Sequence, residues 1–390
     1  MSQAIGLSEE LSQQMTAWRH DLHRHPELGF EETRTARLAA ERLRAAGLEV
    51  HEGVGGTGVV GVLRRGNGPG SIGLRADMDA LAIAEENTFD HRSRHPGRMH
   101  ACGHDGHTAM LLGAARHLAA EGNFSGTAVF IFQPAEEHGR GALAMIDDGL
   151  FKRFPVDAVY AIHNLPSLEA GKLAVREGAI MACEDTFEIR VEGKGTHAAL
   201  PHRGIDPILV GAEIVTALQS LVSRTLDPLD NAVVSVTDFR CDGTRNVIPA
   251  RVAISGDARS FGPKVQDHIE TGMERIAAGI CAAHGASHRL SYKREFAATI
   301  NTAREAAAAA AVAEAAFGAG RVDRDCPALM ASEDFGFMLQ QKPGAYILLG
   351  NGGDGPGGCG LHSPNYDFND DVLSTGAGFW VRLVESQLSG

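Results

Sequence analysis

The chain has no surplus of positive charge. Its 36 Lys and Arg face 49 Asp and Glu, for a formal net charge of −13. A nucleic-acid binder needs a basic stripe and an anionic membrane surface attracts basic clusters, so the balance argues against both partners. Cysteine is sparse: six in 390 residues, at positions 102, 183, 241, 281, 326 and 359. Scattered this way they make no disulfide framework. No run approaches the roughly 18 consecutive apolar residues of a bilayer span. The N-terminus, Met-Ser-Gln-Ala-Ile-Gly-Leu-Ser-Glu-Glu, lacks the basic segment and apolar run of a secretory leader. The expectation is a cytoplasmic enzyme or binding protein, with Cys102 a free thiolate in a reducing compartment.

Core-forming material is ample. Hydrophobic residues make up 44% of the chain and charged residues 22%, an ordinary globular balance. A length of 390 residues exceeds what one core usually holds, so two domains are expected. Leu11, Met15, Trp18 and Leu22 recur at helical spacing behind Ser8, a candidate N-cap, and predict a helix over 8–25. A second helix, 31–46, stops at Gly47. Runs 58–63 and 71–76 flank Arg-Arg-Gly-Asn-Gly-Pro-Gly and read as a hairpin. A helix is expected over 108–120. Strands 127–132 and 156–162 then alternate with a helix near 140–148, the rhythm of a largely parallel sheet. Ligands bind off the carboxyl ends of such strands.

From about 182 the pattern changes to strand 186–191, helix 206–225, strands 232–239 and 247–257, helix 264–283 and strand 288–293. This β-α-β-β-α-β order resembles a ferredoxin-like module, self-contained and inserted. The Ala-rich stretch 302–317 reads as a surface helix. A strand over 345–349 leads into a glycine-rich loop with no phosphate-binding pattern, then His362. A last helix is expected over 370–387. The expected division is 1–181 with 295–390, against an insert of 182–294.

The densest stretch chemically is Arg98-Met-His-Ala-Cys-Gly-His-Asp-Gly-His-Thr108, which packs His100, Cys102, His104, Asp105 and His107 together. Soft and borderline ligands at that density suit a transition metal. Alone it could be a polar loop with surface histidines. Other segments supply matching donors at strand ends: Asp77 and Asp79, Glu136 and Glu137, His163 and His362. Cys102, His104, Glu137, His163 and His362 exceed the three protein ligands of a single open zinc site. With one thiolate able to bridge, they suit two divalent ions. Glu136, beside Glu137, is then free to take a proton from metal-activated water and hand it to a leaving nitrogen. In the later module His197 could donate to a developing oxyanion, and an arginine such as Arg245 or Arg259 could clasp a substrate carboxylate.

Met-His-Ala-Cys-Gly-His-Asp-Gly-His, Gln-Pro-Ala-Glu-Glu, His-Asn-Leu-Pro, Gly-Thr-His-Ala-Ala-Leu-Pro-His, Asn-Val-Ile-Pro, Ser-Glu-Asp-Phe and Leu-His-Ser-Pro occur in that order. Together they resemble the aminoacylase and hippurate hydrolase-like amidohydrolases, which include the auxin–amino acid conjugate hydrolases. These are a branch of the dinuclear-metal metallopeptidases. The resemblance runs from about His23 to Pro364. It implies an α/β catalytic domain, a mostly parallel sheet flanked by helices, built from both ends of the chain. It implies an inserted lid that also mediates dimerisation, in a homodimer or an oligomer built from dimers.

The implied ligands are Cys102, His104, Glu137, His163 and His362, holding two divalent ions. Zinc or manganese is expected; cobalt and nickel also fit such a shell. Glu136 is the implied general base and Asp79 the acid orienting a ligand. His197 is implied to reach a partner subunit's site, and Asn246 and Arg259 to lie near substrate. Asp77 falls where wider relatives place a metal-binding His. Two departures stand out: Ala82 where the branch has Pro, and the charged segment 89–95. The expected reaction is amide hydrolysis of N-acyl amino acids. A dipeptidase or carboxypeptidase is the enzymatic alternative, and a catalytically silent, metal-stabilised dimeric binding protein the non-enzymatic one.

Overall fold

The computed structural model describes residues 7–353 and 357–389. The chain divides into two compact units: Met1–Ile180, Ile300–Pro327 and Asp334–Gly390 form one, and Met181–Thr299 with Ala328–Glu333 form the other. The second unit thus takes in Met181 and residues 295–299 and 328–333 as well as the 182–294 stretch anticipated from the strand and helix pattern.

The first unit opens with α1 (Glu9–Arg24), where the Ser8 hydroxyl accepts Leu11 N–H at 3.2 Å and Leu11, Met15, Trp18 and Leu22 are buried. Helix α2 (Thr33–Ala45) ends before Gly47, whose φ of 87° suits a helix stop. Strands β1 (Glu49–Val54), β2 (Gly58–Arg65) and β3 (Ser71–Asp77) follow. Next come α3 (His104–Glu121), β4 (Gly126–Gln133), α4 (Gly141–Asp147), β5 (Ala158–Leu165) and β6 (Leu173–Ala174).

The second unit contributes β7 (Cys183–Glu192), β8 (Thr196–His197), α5 (Pro207–Ser220), β9 (Ala232–Cys241), β10 (Val247–Ile248), β11 (Arg251–Ser260), α6 (Pro263–His284) and β12 (Ser287–Phe296). The chain returns to the first unit with α7 (Ala303–Phe317), β13 (Val322–Asp323), α8 (Phe335–Leu339), β14 (Gly344–Gly350) and α9 (Leu373–Gln387).

The first unit holds an eight-stranded sheet in the order β1-β2-β4-β3-β5-β14-β6-β13. Its centre, β4-β3-β5-β14, is parallel, and antiparallel pairs flank it. The anticipated hairpin between β2 and β3 does not form, because β4 lies between them. The link at 66–70 instead packs on the start of β4, with Gly68 N on Ser125 Oγ at 2.8 Å and Thr127 N on the Gly70 carbonyl at 2.9 Å. The real hairpin is β1–β2. Strand β1 went unanticipated because it is a mostly solvated edge without apolar alternation.

Helix α3 begins at His104, earlier than the expected 108, and every residue from His104 to Ala115 is buried. A helix with no solvent stripe carries no amphipathic signal at its start. Helix α7, expected at the surface, buries Ala306, Ala309, Ala310 and Ala313 in the same core that takes in Phe379, Trp380 and Leu383 of α9.

The second unit's main sheet runs β9-β11-β7-β12, all antiparallel, the strand order of a ferredoxin-like module. Phe187, Ile189 and Val191 alternate inward from β7 and share a core with Val210, Ile214 and Leu218 of α5 and Ile269 and Met273 of α6. The stretch read as one strand over 247–257 is broken at Pro249-Ala250 into β10, which pairs with β8, and β11. The segment Pro207–Thr225 is long and apolar enough, by length and composition alone, to cross a membrane. It is not an unbroken apolar run, since Glu213, Gln219 and Ser220 interrupt it, and Val210, Ile214 and Leu218 are buried in this core.

Candidate active site

Parallel strands β3, β4, β5 and β14 point their carboxyl ends the same way, and the site is assembled there. Strand β3 ends at Asp77, with Asp79 two residues on. Strand β4 ends at Gln133 and leads into Glu136 and Glu137. His163 lies inside β5, opposite Leu348 of β14, rather than at the strand end expected. His362 comes from the loop after β14, with its backbone N on the Ala101 carbonyl at 2.8 Å and a left-handed φ of 62°.

Cys102 and His104 straddle the start of α3, and His104 is its first residue. Gly103 between them has a φ of 95°. A Cβ there would stand 2.3 Å from Asn164 Oδ1 and 2.6 Å from the Tyr366 hydroxyl, so any other residue must displace those side chains as well as adopt a left-handed φ.

Each imidazole is oriented by one nitrogen. His163 Nδ1 lies 2.8 Å from the Asn164 carbonyl, which can only accept, so Nδ1 carries the proton and Nε2 keeps its lone pair. That Nε2 stands 3.4 Å from Cys102 Sγ. His104 Nδ1 pairs with Asp79 Oδ1 at 3.2 Å, while the other oxygen of Asp79 accepts Glu137 N–H at 3.0 Å. Asp79 therefore orients two of the expected ligands at once, the arrangement metal-binding histidines commonly have. His107 is held by Asp77 on Nδ1, 2.6 Å away, and by Asn164 on Nε2. Its ligand atom lies within 4.8 Å of those of Asp77, His104 and His163, but both its nitrogens are engaged.

Among the described residues, His104 Nε2 and Glu137 Oε1 are buried and make no hydrogen bond. They are 4.0 Å apart, with Glu136 Oε2 3.9 Å from the same nitrogen and His362 Nε2 3.4 Å from Glu137 Oε1. Donor atoms of Cys102, His104 and Glu137 all lie within 4.8 Å of one another. Orphaned donors converging at this spacing fit a divalent cation, since a buried polar atom without a partner is costly.

The electrostatics agree. Burial disfavours charge on His104, yet Asp77, Asp79 and Glu137 outweigh it and raise its pKa to about 10. The surrounding carboxylates thus favour positive charge at this point. Burial and the neighbouring His107 push His163 well below its usual range, which keeps its lone pair available. The contact with Glu137 raises His362. Alone among the five expected ligands, His362 is exposed.

Asp77 makes a 2.6 Å ion pair with Arg75 besides its bond to His107. His104, His107 and Arg75 overcome its burial and hold it well below the carboxylate range. Arg75 Nε donates to Gln133 Oε1, and Asp334 accepts from Arg75, from Gln133 and from Ala142 N–H. This buried network under the site gives roles to Gln133, Asn164 and Asp334, which lie within the sequence motifs but carried no expected role. Their only signal was a place inside those motifs.

The second unit carries the other three residues. His197 and Asn246 are exposed and close together: the Ala198 amide bonds the Asn246 carbonyl at 2.9 Å, and His197 Nδ1 accepts Ala199 N–H at 3.1 Å. Arg259 sits on β11, where its guanidinium meets Glu184 at 2.9 Å, Asp257 at 3.0 Å and the Met330 carbonyl at 3.0 Å. The open fork expected of a carboxylate clasp is already engaged.

Fold and motifs together define a class: residues 73–386 match peptidase family M20/M25/M40, and the chain belongs to that family. It is 41% identical over 366 residues to the hippurate hydrolase of Campylobacter jejuni, across 94% of each chain. It is 43% identical over 300 residues to the N-acyl-L-amino acid amidohydrolase of Geobacillus stearothermophilus, covering 76% of this chain and 80% of that one. The crystal structure of the Bacillus subtilis YxeP protein, a dinuclear metal binding peptidase of the M20 family, superposes with a TM-score of 0.85. It shares 31% identity and covers 98% of this chain and 99% of its own.

Proposed function

We propose that this protein is a metal-dependent amidohydrolase that cleaves the amide bond of N-acyl amino acids. Family membership and the two amidohydrolase relatives support the reaction class. The observation that carries it is the buried Glu136 carboxylate poised 3.9 Å from the orphaned His104 Nε2, beside Glu137.

Cys102, His104, Glu137, His163 and His362 would hold two divalent ions, zinc or manganese first among those the donors suit. When bound, the ions supply Lewis acidity toward the amide carbonyl and acidify the attacking water. Glu136 takes that water's proton at a carboxylate oxygen and passes it to the leaving nitrogen. Asp79 keeps His104 and the Glu137 backbone in register. His197 donates to the developing oxyanion, and Asn246 holds substrate. Arg259 stands behind Asn246 in this role, because its fork must first give up Glu184 or Asp257.

We read the assembly as a homodimer formed through the second unit. Leu209, Leu229, Phe239 and Val247 are exposed there, and β9 is a sheet edge. All six cysteines are free, which supports a cytoplasmic setting.

Glu136→Ala tests the mechanism. We expect kcat on N-acetyl amino acids to fall by about 10³-fold, within the range of lost general bases, with metal content unchanged. Turnover within threefold of wild type overturns it. Comparing kcat/KM for N-acetyl amino acids and for dipeptides separates the amidohydrolase from a dipeptidase or carboxypeptidase.

A further inference from the structure

Glu32 is an ionisable group to which the hydrolytic reading gives no task. It stands at the N-cap position of α2 but makes no capping bond there. Glu27 serves that end of the helix, accepting Arg34 N–H at 3.0 Å and Thr35 N–H at 2.8 Å. Glu32 is instead turned inward, with 0% exposure. Its Oε1 accepts Ala135 N–H at 2.8 Å and its Oε2 accepts the Thr57 hydroxyl at 2.5 Å. Burial pushes its carboxyl up to about 6 in spite of those donors. A buried carboxyl is costly to keep, so its placement calls for a reason.

The reason lies at Ala135. This residue has a φ of 48°, in the left-handed region that a Cβ disfavours. It immediately precedes Glu136, and Pro134 before it offers no N–H. On the far side of Glu136, Glu137 N–H is held by Asp79. The two amides flanking Glu136 are thus each pinned by a carboxylate from another segment. The segments themselves are joined, since Ala80 N–H bonds the Glu27 carbonyl at 2.8 Å. The loop's own bonds, Gly139 N to the Glu136 carbonyl and Gly141 N to the Ala135 carbonyl, leave the Ala135 amide to Glu32.

We propose that Glu32 is a positioning residue for Glu136: braced by Thr57, it holds the Ala135 amide in its left-handed turn and so sets where the neighbouring carboxylate points. This rests on Glu136 as general base. A misplacement of about 1 Å can cost on the order of 10²-fold in rate, which sets the scale of the test.

Glu32→Ala should lower kcat by roughly 30- to 100-fold with KM within about threefold and metal content unchanged. Glu32→Gln keeps an acceptor oxygen for Ala135 and should recover kcat to within about fivefold of wild type. Glu32→Ala in a Glu136→Ala background should cost nothing further, because the two act as one unit. A Glu32→Ala enzyme with kcat within threefold of wild type overturns the inference while Glu136 stands. So does an equal loss in both backgrounds. Full turnover by Glu136→Ala overturns the general base and this inference with it. If Glu32→Ala does not fold, Thr57→Val decides: a lower kcat at constant KM supports the brace, and an unchanged kcat overturns it.

Discussion

In the first unit the candidate donors other than His362 are largely buried and already aimed; in the second the candidate substrate contacts are exposed or already paired. His104 and His163 each have one nitrogen fixed by an oxygen acceptor, which leaves the other turned toward Cys102 or Glu137. His197 and Asn246 share a short exposed strand pairing, and Arg259 is occupied by acids. The contrast follows the tasks proposed for the two sets of residues. Holding a cation requires rigid donors with desolvated lone pairs. Gripping a variable acyl amino acid tolerates groups that exchange partners on binding.

The contrast can be broken from either side. The largest effect is expected at Cys102→Ser. Losing the thiolate should weaken metal binding by more than about 100-fold, the upper end for loss of a mere outer partner. Two ions retained at full occupancy in direct metal analysis would remove the bridging role. Next is His197→Ala, which should lower kcat by about 10²-fold, as loss of an oxyanion donor does, while leaving metal content alone. A fall in metal content instead would erase the distinction between the units. Asp79→Asn should cost about 10- to 100-fold in metal affinity or activity. Equal metal affinity and activity in the variant would show that the His104 and Glu137 backbone positions need no carboxylate.

The smallest effect concerns stability. Burial opposes a charge on His23, but its bonds to Asp105 at 2.9 Å and Glu85 at 3.1 Å prevail and raise its pKa to about 9. The same contact holds Asp105 well below its usual range, so the pair counts once. A raised folded-state pKa means the stabilisation is full below the unfolded value near 6.5 and fades as pH climbs through 9. The unfolding free energy of wild type relative to His23→Gln should therefore shrink between pH 6.5 and 9.5, by up to about 3 kcal/mol. A difference independent of pH would show that His23 is not charged.

Much of the frame was legible in the chain. Helix α1 was readable from Leu11, Met15, Trp18 and Leu22, because one-sided burial leaves a 3.6-residue period. The alternation of β7 was readable because one sheet face is covered. Strand β1 and the start of α3 were not, one being nearly all solvated and the other wholly buried. Neither state leaves a period to read. The sheet order escaped as well, since pairing β2 with β4 rather than β3 is settled by contacts distant in sequence.

By itself the sequence determined the chemistry on offer: one thiol, three histidines and adjacent carboxylates in motifs at strand ends and loops. It could do so because a side chain's donor type is a local property. Only the tertiary structure decided which atoms are left over. His107 is consumed by Asp77 and Asn164, and Glu32 is drawn under the Glu136 loop. Arg259 is already paired, while His104 Nε2 and Glu137 Oε1 remain unspent. Those allocations depend on which strands lie side by side and on what burial denies to water, and no single segment of chain encodes either.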